Sequence, residues 1–325
     1  MIGRRRANLR SALAYLALGW VAVRPVAAAE VWRICLNWAP GADHAPLYLA
    51  RELGLFQEAG LAVDLRPGGG SADAVAKAQR GECEAAVADF GAVVSARRAG
   101  RNAVAVFAIF SDAPLAFVAR APVRLGHPAD LTGLRIATDE KELARRLWPE
   151  FARRNGLDPG AVTWVQTPNN AKVNALRGGT ADAASHTFYH HMTEFSRAFG
   201  PSLAVLPYRD HGINPYTQVV AVSERTAETQ PGQVAAFVRL LRDAHRDCVA
   251  APEACITALT AANPHLDPEL EREKWAVAAP LVRPAGLAAS SVGRFEPGRV
   301  IAHHGPEAAE AFTNRFLDAA VGAPR

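Results

Sequence analysis

The sequence lacks the features that define several large classes of protein. Its apolar stretch near the start, residues 11–23, is shorter than the roughly 20 apolar residues that a membrane-spanning helix needs. No cysteines have the CxxC spacing with companion histidines that is typical of zinc sites. No GxSxG, SxxK or Cys-His pattern with a supporting acid indicates a catalytic nucleophile. These absences argue against a membrane-spanning protein, a zinc protein and a hydrolase of the common types.

Residues 1–29 have the three parts of a secretory signal peptide. A basic head, Arg4 to Arg10, precedes the apolar stretch, and small residues at 27–29 offer a cleavage site before Glu30. The paired arginines leave the twin-arginine export route open beside the general secretory one. We therefore expect residues 1–29 to be removed and the mature protein to be periplasmic.

The predicted mature chain has no excess of positive charge. Residues 1–29 contain five arginines and no acidic residue, so the remainder has 31 basic and 32 acidic residues. The sequence pI near 9.0 therefore belongs to the signal peptide. Because no basic run or stripe remains, we expect no nucleic acid partner.

Four cysteines are expected in an oxidising compartment. Cys248 and Cys255 bracket the segment VAAPEA, in which Pro252 breaks a helix, so a local disulfide is predicted. Cys35 in the first strand and Cys83 just before the third are interpreted as buried small hydrophobic residues.

Alternating strands and helices predict an α/β fold of two lobes. A chain of 325 residues, half of them hydrophobic, is long enough for two domains. The βαβ rhythm begins at Val31 and restarts at Leu134. We expect two Rossmann-like lobes joined by a two-crossing hinge, with a ligand cleft between them. Lobe I would comprise residues 30–119 and 217–325, and lobe II residues 120–216. The later part is mostly helical, with helices predicted over 231–249, 254–262, 268–279 and 307–321.

The loop after the first strand supplies the first candidates for a ligand site, because open α/β sheets bind ligands at the carboxyl ends of their strands. Trp38 is suited to stacking on a flat ligand or to covering the core. Asn37 can donate and accept at the edge of a heterocycle, or cap the loop backbone. His44 can donate to a ligand, or cap and pack at the start of the helix.

The next two strand ends add a glycine-rich loop and an aspartate. Gly69 and Ser71 belong to a GGGS segment whose backbone N–H groups at a helix start would suit an anion, or whose glycines serve a tight turn. We place Ser71 as the N-cap of a helix beginning at Ala72. Asp89 would accept from an amino group of the ligand, or cap the following helix.

Candidates in the second lobe occupy the equivalent strand ends. Thr138, His186 and Tyr189 follow or end predicted lobe II strands, and Tyr216 lies near the second crossing, where a hinge role is the alternative. His186 is near two further histidines, His190 and His191. The run lacks an HExxH-type carboxylate pattern, so no metal is expected.

The segment LNWAPGADHAPLYLARELGLFQEAGLAVDL resembles the opening of the NMT1/THI5-like substrate-binding proteins of ABC importers. That group includes binders of pyrimidine precursors, riboflavin, sulfonates and nitrate. The resemblance continues through PGGGSADAVAKAQRGECEAAVADFG, GLRIAT, GLDPGAVTWV, ALRGGTADAA and PYTQVVAVSE. It implies a type II periplasmic-binding-protein fold that closes on its ligand.

By position, the resemblance is strongest to the pyrimidine-binding branch. It implies site roles for Asn37, Trp38 and His44, with further candidates in the second and third loops (Gly69, Ser71 and Asp89). It also implies a monomeric, non-enzymatic receptor without a cofactor, which receives a small-molecule ligand and delivers it to an ABC permease in the inner membrane. A sulfonate or nitrate anion and a riboflavin-like ligand are the alternatives within binding proteins.

An enzyme is the alternative from another class. The fungal pyrimidine synthases of this family carry a lysine for pyridoxal phosphate after the third strand and a cysteine-rich run in the second lobe. Here Asp89-Phe90-Gly91 follows that strand, and residues 120–216 contain no cysteine. The resemblance to the enzymes therefore lacks the residues that carry their chemistry.

Overall fold

The computed structural model describes residues 30–321, so the predicted signal peptide lies outside it. The strands are β1 Glu30–Cys35, β2 Leu61–Arg66, β3 Ala85–Asp89, β4 Ala103–Ala108, β5 Leu115–Arg120, β6 Arg135–Thr138, β7 Thr163–Gln166, β8 Ala183–Thr187, β9 Leu203–Pro207 and β10 Gln218–Ser223. The helices are α1 Ala45–Glu52, α2 Leu55–Glu58, α3 Ser71–Gln79, α4 Phe90–Arg98, α5 Leu143–Arg154, α6 Lys172–Arg177, α7 Phe188–Phe199, α8 Glu224–Thr229, α9 Pro231–Ala250, α10 Pro252–Ala262, α11 Pro268–Val282, α12 Pro297–His304 and α13 Arg315–Val321. No helix in this range combines the length and apolar character that crossing a membrane needs.

The first strand shows how the sequence pattern determines local structure. Trp32 and Ile34 on one face of β1 are fully buried, whereas Val31 on the other face is exposed. This alternation has the period of two that a strand with one covered face requires. The loop after β1 leads into α1, which has Pro46 in its first turn, where a missing N–H costs no helical hydrogen bond.

Two five-stranded sheets form the centres of the two lobes. Their strand orders are β2-β1-β3-β10-β4 and β7-β6-β8-β5-β9. In the first sheet β10 runs antiparallel to both of its neighbours, and in the second β5 does so. The remaining strands of each sheet run in one direction, so their carboxyl ends lie at one edge together with the amino end of β10 or β5.

The chain passes between the sheets twice, over residues 109–114 and 208–217. The predicted boundary of lobe I at residue 119 is wrong in one respect, because β5 pairs with β8 and β9 of the second sheet. Its apolar sequence follows directly on that of β4, so hydrophobic pattern alone does not distinguish one sheet from the other. The first crossing therefore lies before Leu115.

Asn214 ties the two crossings to each other. Its side-chain Nδ2 donates to Asp112 Oδ1 at 2.8 Å, and its Oδ1 accepts from the Ala113 N–H at 2.7 Å. Its own backbone N–H donates to Nε2 of His303 in α12 at 3.2 Å. One amide side chain thus fixes the spacing of the two connections where the lobes meet.

The end of the chain differs from the single helix predicted over 307–321. A 3₁₀ turn occupies Pro306–Glu310, and α13 begins only at Arg315. Between them the Ala105 N–H donates to the Ala311 carbonyl at 2.8 Å, and the Thr313 N–H donates to the Ala105 carbonyl at 2.9 Å. The helix is interrupted because this segment covers the free edge of β4.

Both cysteine pairs form disulfides. Cys248 and Cys255 are joined across the turn between α9 and α10, with Cα atoms 5.7 Å apart. Cys35 and Cys83 are also joined, at a Cα separation of 5.9 Å, whereas the sequence suggested two separate buried thiols. The reason is the sheet order, since β1 and β3 are neighbours and Cys35 lies beside the start of β3.

We expect the two bridges to contribute unequally to stability. Cys35–Cys83 spans 48 residues and Cys248–Cys255 only seven. Loop-closure entropy predicts that replacing both cysteines by alanine lowers the free energy of unfolding by about 4 kcal/mol for the long loop and about 2 kcal/mol for the short one. Urea denaturation of the two double variants measures this difference. Mass analysis of non-reduced peptides tests the pairing itself, and four free thiols would contradict it.

Candidate ligand-binding site

The ligand site suggested by the fold is a cleft where the strand ends of the two sheets face each other. Its inner end is a cavity of about 100 Å³ lined by Asn37, Asp89, Pro114, Leu115, Leu143, Thr217 and Gln218. Asp89 and Leu143 also line a wider cavity of about 720 Å³, which we refer to as the outer cavity, between α3 and α4 of one lobe and α5 of the other. The inner cavity therefore has walls from both lobes and from both crossings.

A chain of buried polar side chains supports one wall of the inner cavity. His44 Nε2 lies 3.0 Å from Asn37 Oδ1 and 3.6 Å from Asp43 Oδ2. Gln218 Nε2 donates to the same Asp43 oxygen at 2.6 Å. With Oδ1 as the amide oxygen, Asn37 accepts from His44 and keeps its NH₂ group for the cavity. His44 itself is buried and orients Asn37 rather than lining the cavity.

Trp38 is not part of the core. Its side chain is 59% exposed. It lines a separate cavity of about 570 Å³, whose other walls come from lobe II and α11 (Asn169, Asn170, Thr193, Glu194, Leu270 and Lys274). The neighbouring residues Asn37 and Trp38 thus face different parts of the space between the lobes.

The glycine-rich loop is explained by packing at Gly68 rather than by Gly69. A Cβ atom at residue 68 would lie 1.7 Å from the Leu36 carbonyl oxygen, whereas one at Gly69 would meet nothing within 4 Å. The Gly68 N–H donates to the Trp38 carbonyl at 3.2 Å. Glycine is needed here so that the loop can approach the end of β1 closely.

Ser71 and Asp89 contact each other. The Ser71 hydroxyl accepts from the Asp89 backbone N–H at 2.9 Å, so it holds the end of β3. It is the first residue of α3, with Gly70 in the N-cap position predicted for Ser71. The capping alternative for Asp89 is observed, because Oδ1 accepts from the Gly91 N–H at 2.9 Å at the start of α4, and the residue also lines both cavities. Burial raises the pKa of its carboxyl group to about 6, against the opposing effects of the Gly91 N–H and Arg146.

Thr138 and His186 of lobe II do not line the inner cavity. Thr138 is buried beside Glu142, and the buried His186 ring packs edge-on against Phe195 at 5.1 Å. The side chain of Tyr189 lies outside the described residues.

Tyr216 also lies away from the inner cavity, in the core of lobe I. Its hydroxyl accepts from the Glu296 N–H at 2.9 Å, and the Arg299 guanidinium lies 3.6 Å from its ring centroid. These contacts hold the C-terminal segment against the second crossing. The contacts of Tyr216 with Glu296 and Arg299 are thus structural ones.

Sequence reasoning missed the cavity residues that lie at strand beginnings. Leu115 opens β5 and Gln218 opens β10, and both strands are the antiparallel members of their sheets. Strand ends mark this edge of the sheet only for the parallel strands, whereas an antiparallel strand begins there. A signal was present in Gln218, a polar residue at the head of the apolar run QVVAVS.

Comparison with known proteins agrees with this architecture. The family described as NMT1/THI5 like matches residues 41–255. The formylaminopyrimidine-binding protein of Halalkalibacterium halodurans is 25% identical over 255 residues, which cover 77% of each chain. A putative periplasmic sulfonate-binding protein SsuA from Methylobacillus flagellatus superimposes with a TM-score of 0.64 at 13% identity, covering 90% of this chain and 94% of the other. The aliphatic sulphonate-binding protein SsuA of Escherichia coli gives a TM-score of 0.59 at 14% identity, covering 76% and 83%.

These observations define the class of protein. Two α/β lobes with a cleft at their strand ends form the type II periplasmic-binding-protein fold, which the structural neighbours share. The family match covers more than half of the chain, and the protein belongs to the NMT1/THI5-like family.

The raised pKa of Asp89 has a measurable effect on the stability of the unliganded protein. A carboxyl group that titrates near 6 when folded and near 3.8 when unfolded stabilises the fold at low pH and loses that contribution as the pH rises through 6. Asp89→Asn keeps an oxygen for the Gly91 N–H and has no charge to bury. We expect it to be more stable than the wild type by about 3 kcal/mol at neutral pH, with the difference vanishing below pH 4.

Asp130→Asn is the matched control, measured in the same way by urea denaturation across pH. Backbone N–H groups of Gly126 and His127 lower the pKa of Asp130, so its removal should destabilise the protein at neutral pH. Equal pH dependence of the two variants would contradict the assignment for Asp89.

Proposed function

We propose that this protein is the solute-binding component of an ABC importer, and that its ligand is a small, flat nitrogen heterocycle of the pyrimidine type. Residues 1–29 would direct export to the periplasm, where the loaded protein meets a permease in the inner membrane. Membership of the NMT1/THI5-like family and the name of the formylaminopyrimidine-binding relative support this proposal.

The inner cavity is the observation that carries the proposal. Asn37 offers amide N–H groups and Asp89 offers carboxyl oxygens, while Pro114, Leu115 and Leu143 provide apolar surface. A heteroaromatic ring has the same division, with donors and acceptors at its edge and apolar faces. An exocyclic amino group would donate to Asp89, and a ring nitrogen would accept from Asn37. Few polar groups on an otherwise apolar surface are typical of small-molecule sites.

Binding between two lobes supplies the transport signal. We place the hinge at the crossings 109–114 and 208–217, with lobe I on the first sheet and lobe II on the second. A ligand that contacts Asn37 and Asp89 on one side and Leu143 on the other has a higher affinity for the closed arrangement. That difference in affinity shifts the population toward closure. The proposal includes no catalytic step and no cofactor.

An anionic ligand is the second candidate, because Arg101 and Arg146 line the outer cavity. Gly68 is required by its close approach to Leu36 whatever the ligand, so the presence of glycine there does not favour an anion. The arginines would equally suit an acidic substituent on a heterocycle. The ligand itself distinguishes these cases.

The ligand can be identified directly. Protein purified from its native compartment is denatured, and the released small molecule is identified by mass spectrometry. We expect an aminopyrimidine, and recovery of an alkanesulfonate or a flavin would overturn the ligand assignment. An absorbance band of an aldimine with pyridoxal phosphate in the purified protein would overturn the non-enzymatic assignment.

Trp38 is expected to contribute to ligand binding but not to folding. Because its side chain is 59% exposed, Trp38→Ala should leave the melting temperature of the unliganded protein nearly unchanged. We propose that closure of the lobes brings the Trp38 indole from its own cavity onto a face of the ligand. The stabilisation that 4-aminopyrimidine confers on the wild type should then be abolished in this variant, since stacking on an indole is lost. Differential scanning fluorimetry with and without the pyrimidine measures both effects.

Trp32→Ala is the control for a buried tryptophan. Trp32 is fully buried, and its truncation should cost about 3–5 kcal/mol of folding stability. Trp38→Phe, which keeps an aromatic ring, should recover part of the ligand effect. If Trp38→Ala lowered the melting temperature as much as Trp32→Ala, the stacking role would be refuted.

A further inference from the structure

A buried ionic cluster lies beneath the lobe II wall of the cleft. Its four members are Thr138, Glu142, Lys172 and Ser185, and we refer to them as the lobe II anchor. The Lys172 ammonium group donates to Glu142 Oε1 at 2.5 Å and to the Ser185 carbonyl at 2.9 Å. Glu142 Oε2 lies 2.5 Å from the Ser185 hydroxyl and 3.0 Å from that of Thr138.

Burying the two charges of the anchor has a large cost in desolvation free energy. The Lys172 side chain is 1% exposed and that of Glu142 9%. Burial lowers the pKa of Lys172, while the adjacent Glu142 carboxylate opposes that shift. Buried ion pairs of this kind often contribute no more stability than apolar side chains of the same volume. Stability alone therefore does not account for its presence.

The members of the anchor come from three segments of chain that are separate in sequence. Thr138 ends β6, Glu142 precedes α5, Lys172 begins α6, and Ser185 lies in β8. The anchor thus joins three segments at the carboxyl edge of the second sheet, each of which is separate in sequence.

The residues beside the anchor are those that face lobe I. Leu143, next to Glu142, lines the inner and outer cavities. Asn169 and Asn170, just before Lys172, line the cavity that contains Trp38. Any change in the relative positions of the segments that carry Leu143, Asn169 and Asn170 would alter all three cavities. The anchor residues themselves line none of the three.

We propose that Glu142 and Lys172 are positioning residues, which hold the lobe II wall in the geometry that the ligand requires. The affinity part of this inference rests on the proposed function, and the part about wall geometry does not. The pair acts by fixing the distances between the start of α5, the turn before α6 and β8.

Two variants separate positioning from stability. Lys172→Met leaves the Glu142 carboxylate without its cation, so its melting temperature should fall. The double variant Lys172→Met/Glu142→Met has no buried charge, and the Thr138 and Ser185 hydroxyls, 2.7 Å apart, still pair with each other. We expect it to recover the wild-type melting temperature. Its affinity for 4-aminopyrimidine, measured by calorimetry, should nevertheless be at least tenfold weaker.

An ion pair at the starts of β6 and β8 provides the matched control. Arg135 and Asp182 pair at 2.7 Å at the opposite end of β6 and β8, where both side chains are partly exposed. The variant Arg135→Met/Asp182→Leu should bind 4-aminopyrimidine as the wild type does. If the Lys172/Glu142 double variant also binds as the wild type does, the positioning role is overturned.

Hydrogen exchange tests the wall geometry without a ligand. In the Lys172→Met/Glu142→Met variant, backbone amides of residues 139–143 and 169–172 should exchange at least tenfold faster than in the wild type, while the exchange rates of β1 amides remain unchanged. Unaltered exchange in both segments would overturn the inference. If the wild type itself fails to bind 4-aminopyrimidine, the proposed ligand class is wrong, and the exchange result alone then decides the role of the anchor.

Discussion

Each crossing between the lobes leads into a strand that runs antiparallel between two strands of the sheet it enters, and the cleft depends on this constraint. Leu115 and Gln218, the first residues of β5 and β10, are thereby placed at the edge where the other strands end. The connections are residues 109–114 and 208–217, and Asn214 fixes their spacing through Asp112 and Ala113. The floor of the proposed ligand site and the proposed hinge are consequently the same segments of chain.

Local patterns predicted the elements well and their partners less well. The alternation in β1 and the helical spacing in α1 follow from contacts within a few residues, and both elements are found where expected. The sheet to which β5 belongs, the bridge between Cys35 and Cys83, and the interruption before α13 depend on partners far along the chain. Hydrophobic period carries no information on such pairings, because it reports only which face of an element is covered.

The same contrast between local pattern and distant partners applies to the candidate site residues. Asn37 and Asp89 line the inner cavity because Asn37 follows β1 and Asp89 ends β3, which are parallel strands of one sheet. His44 and Ser71 are adjacent to the site but orient other groups, a distinction that requires the hydrogen-bond partners to be known. Tyr216 lies in the second crossing, as its place in the chain predicts, and its hydroxyl and ring contact Glu296 and Arg299 of the C-terminal segment. Residue type and position identify the neighbourhood of a site more readily than the direction of each side chain.

The Cys35–Cys83 bridge links the ligand site to the redox state of the compartment in which the chain folds. Cys35 ends the strand that leads to Asn37, and Cys83 precedes the strand that ends at Asp89. Thiols remain reduced in the cytosol, so a chain that has not left it holds these two strands together without a covalent link. Under the export proposed above, the bridge would close only after translocation, and oxidation would be a maturation step for the cleft. The precursor would then lack this covalent link between β1 and β3 until it reached the compartment of its ligand.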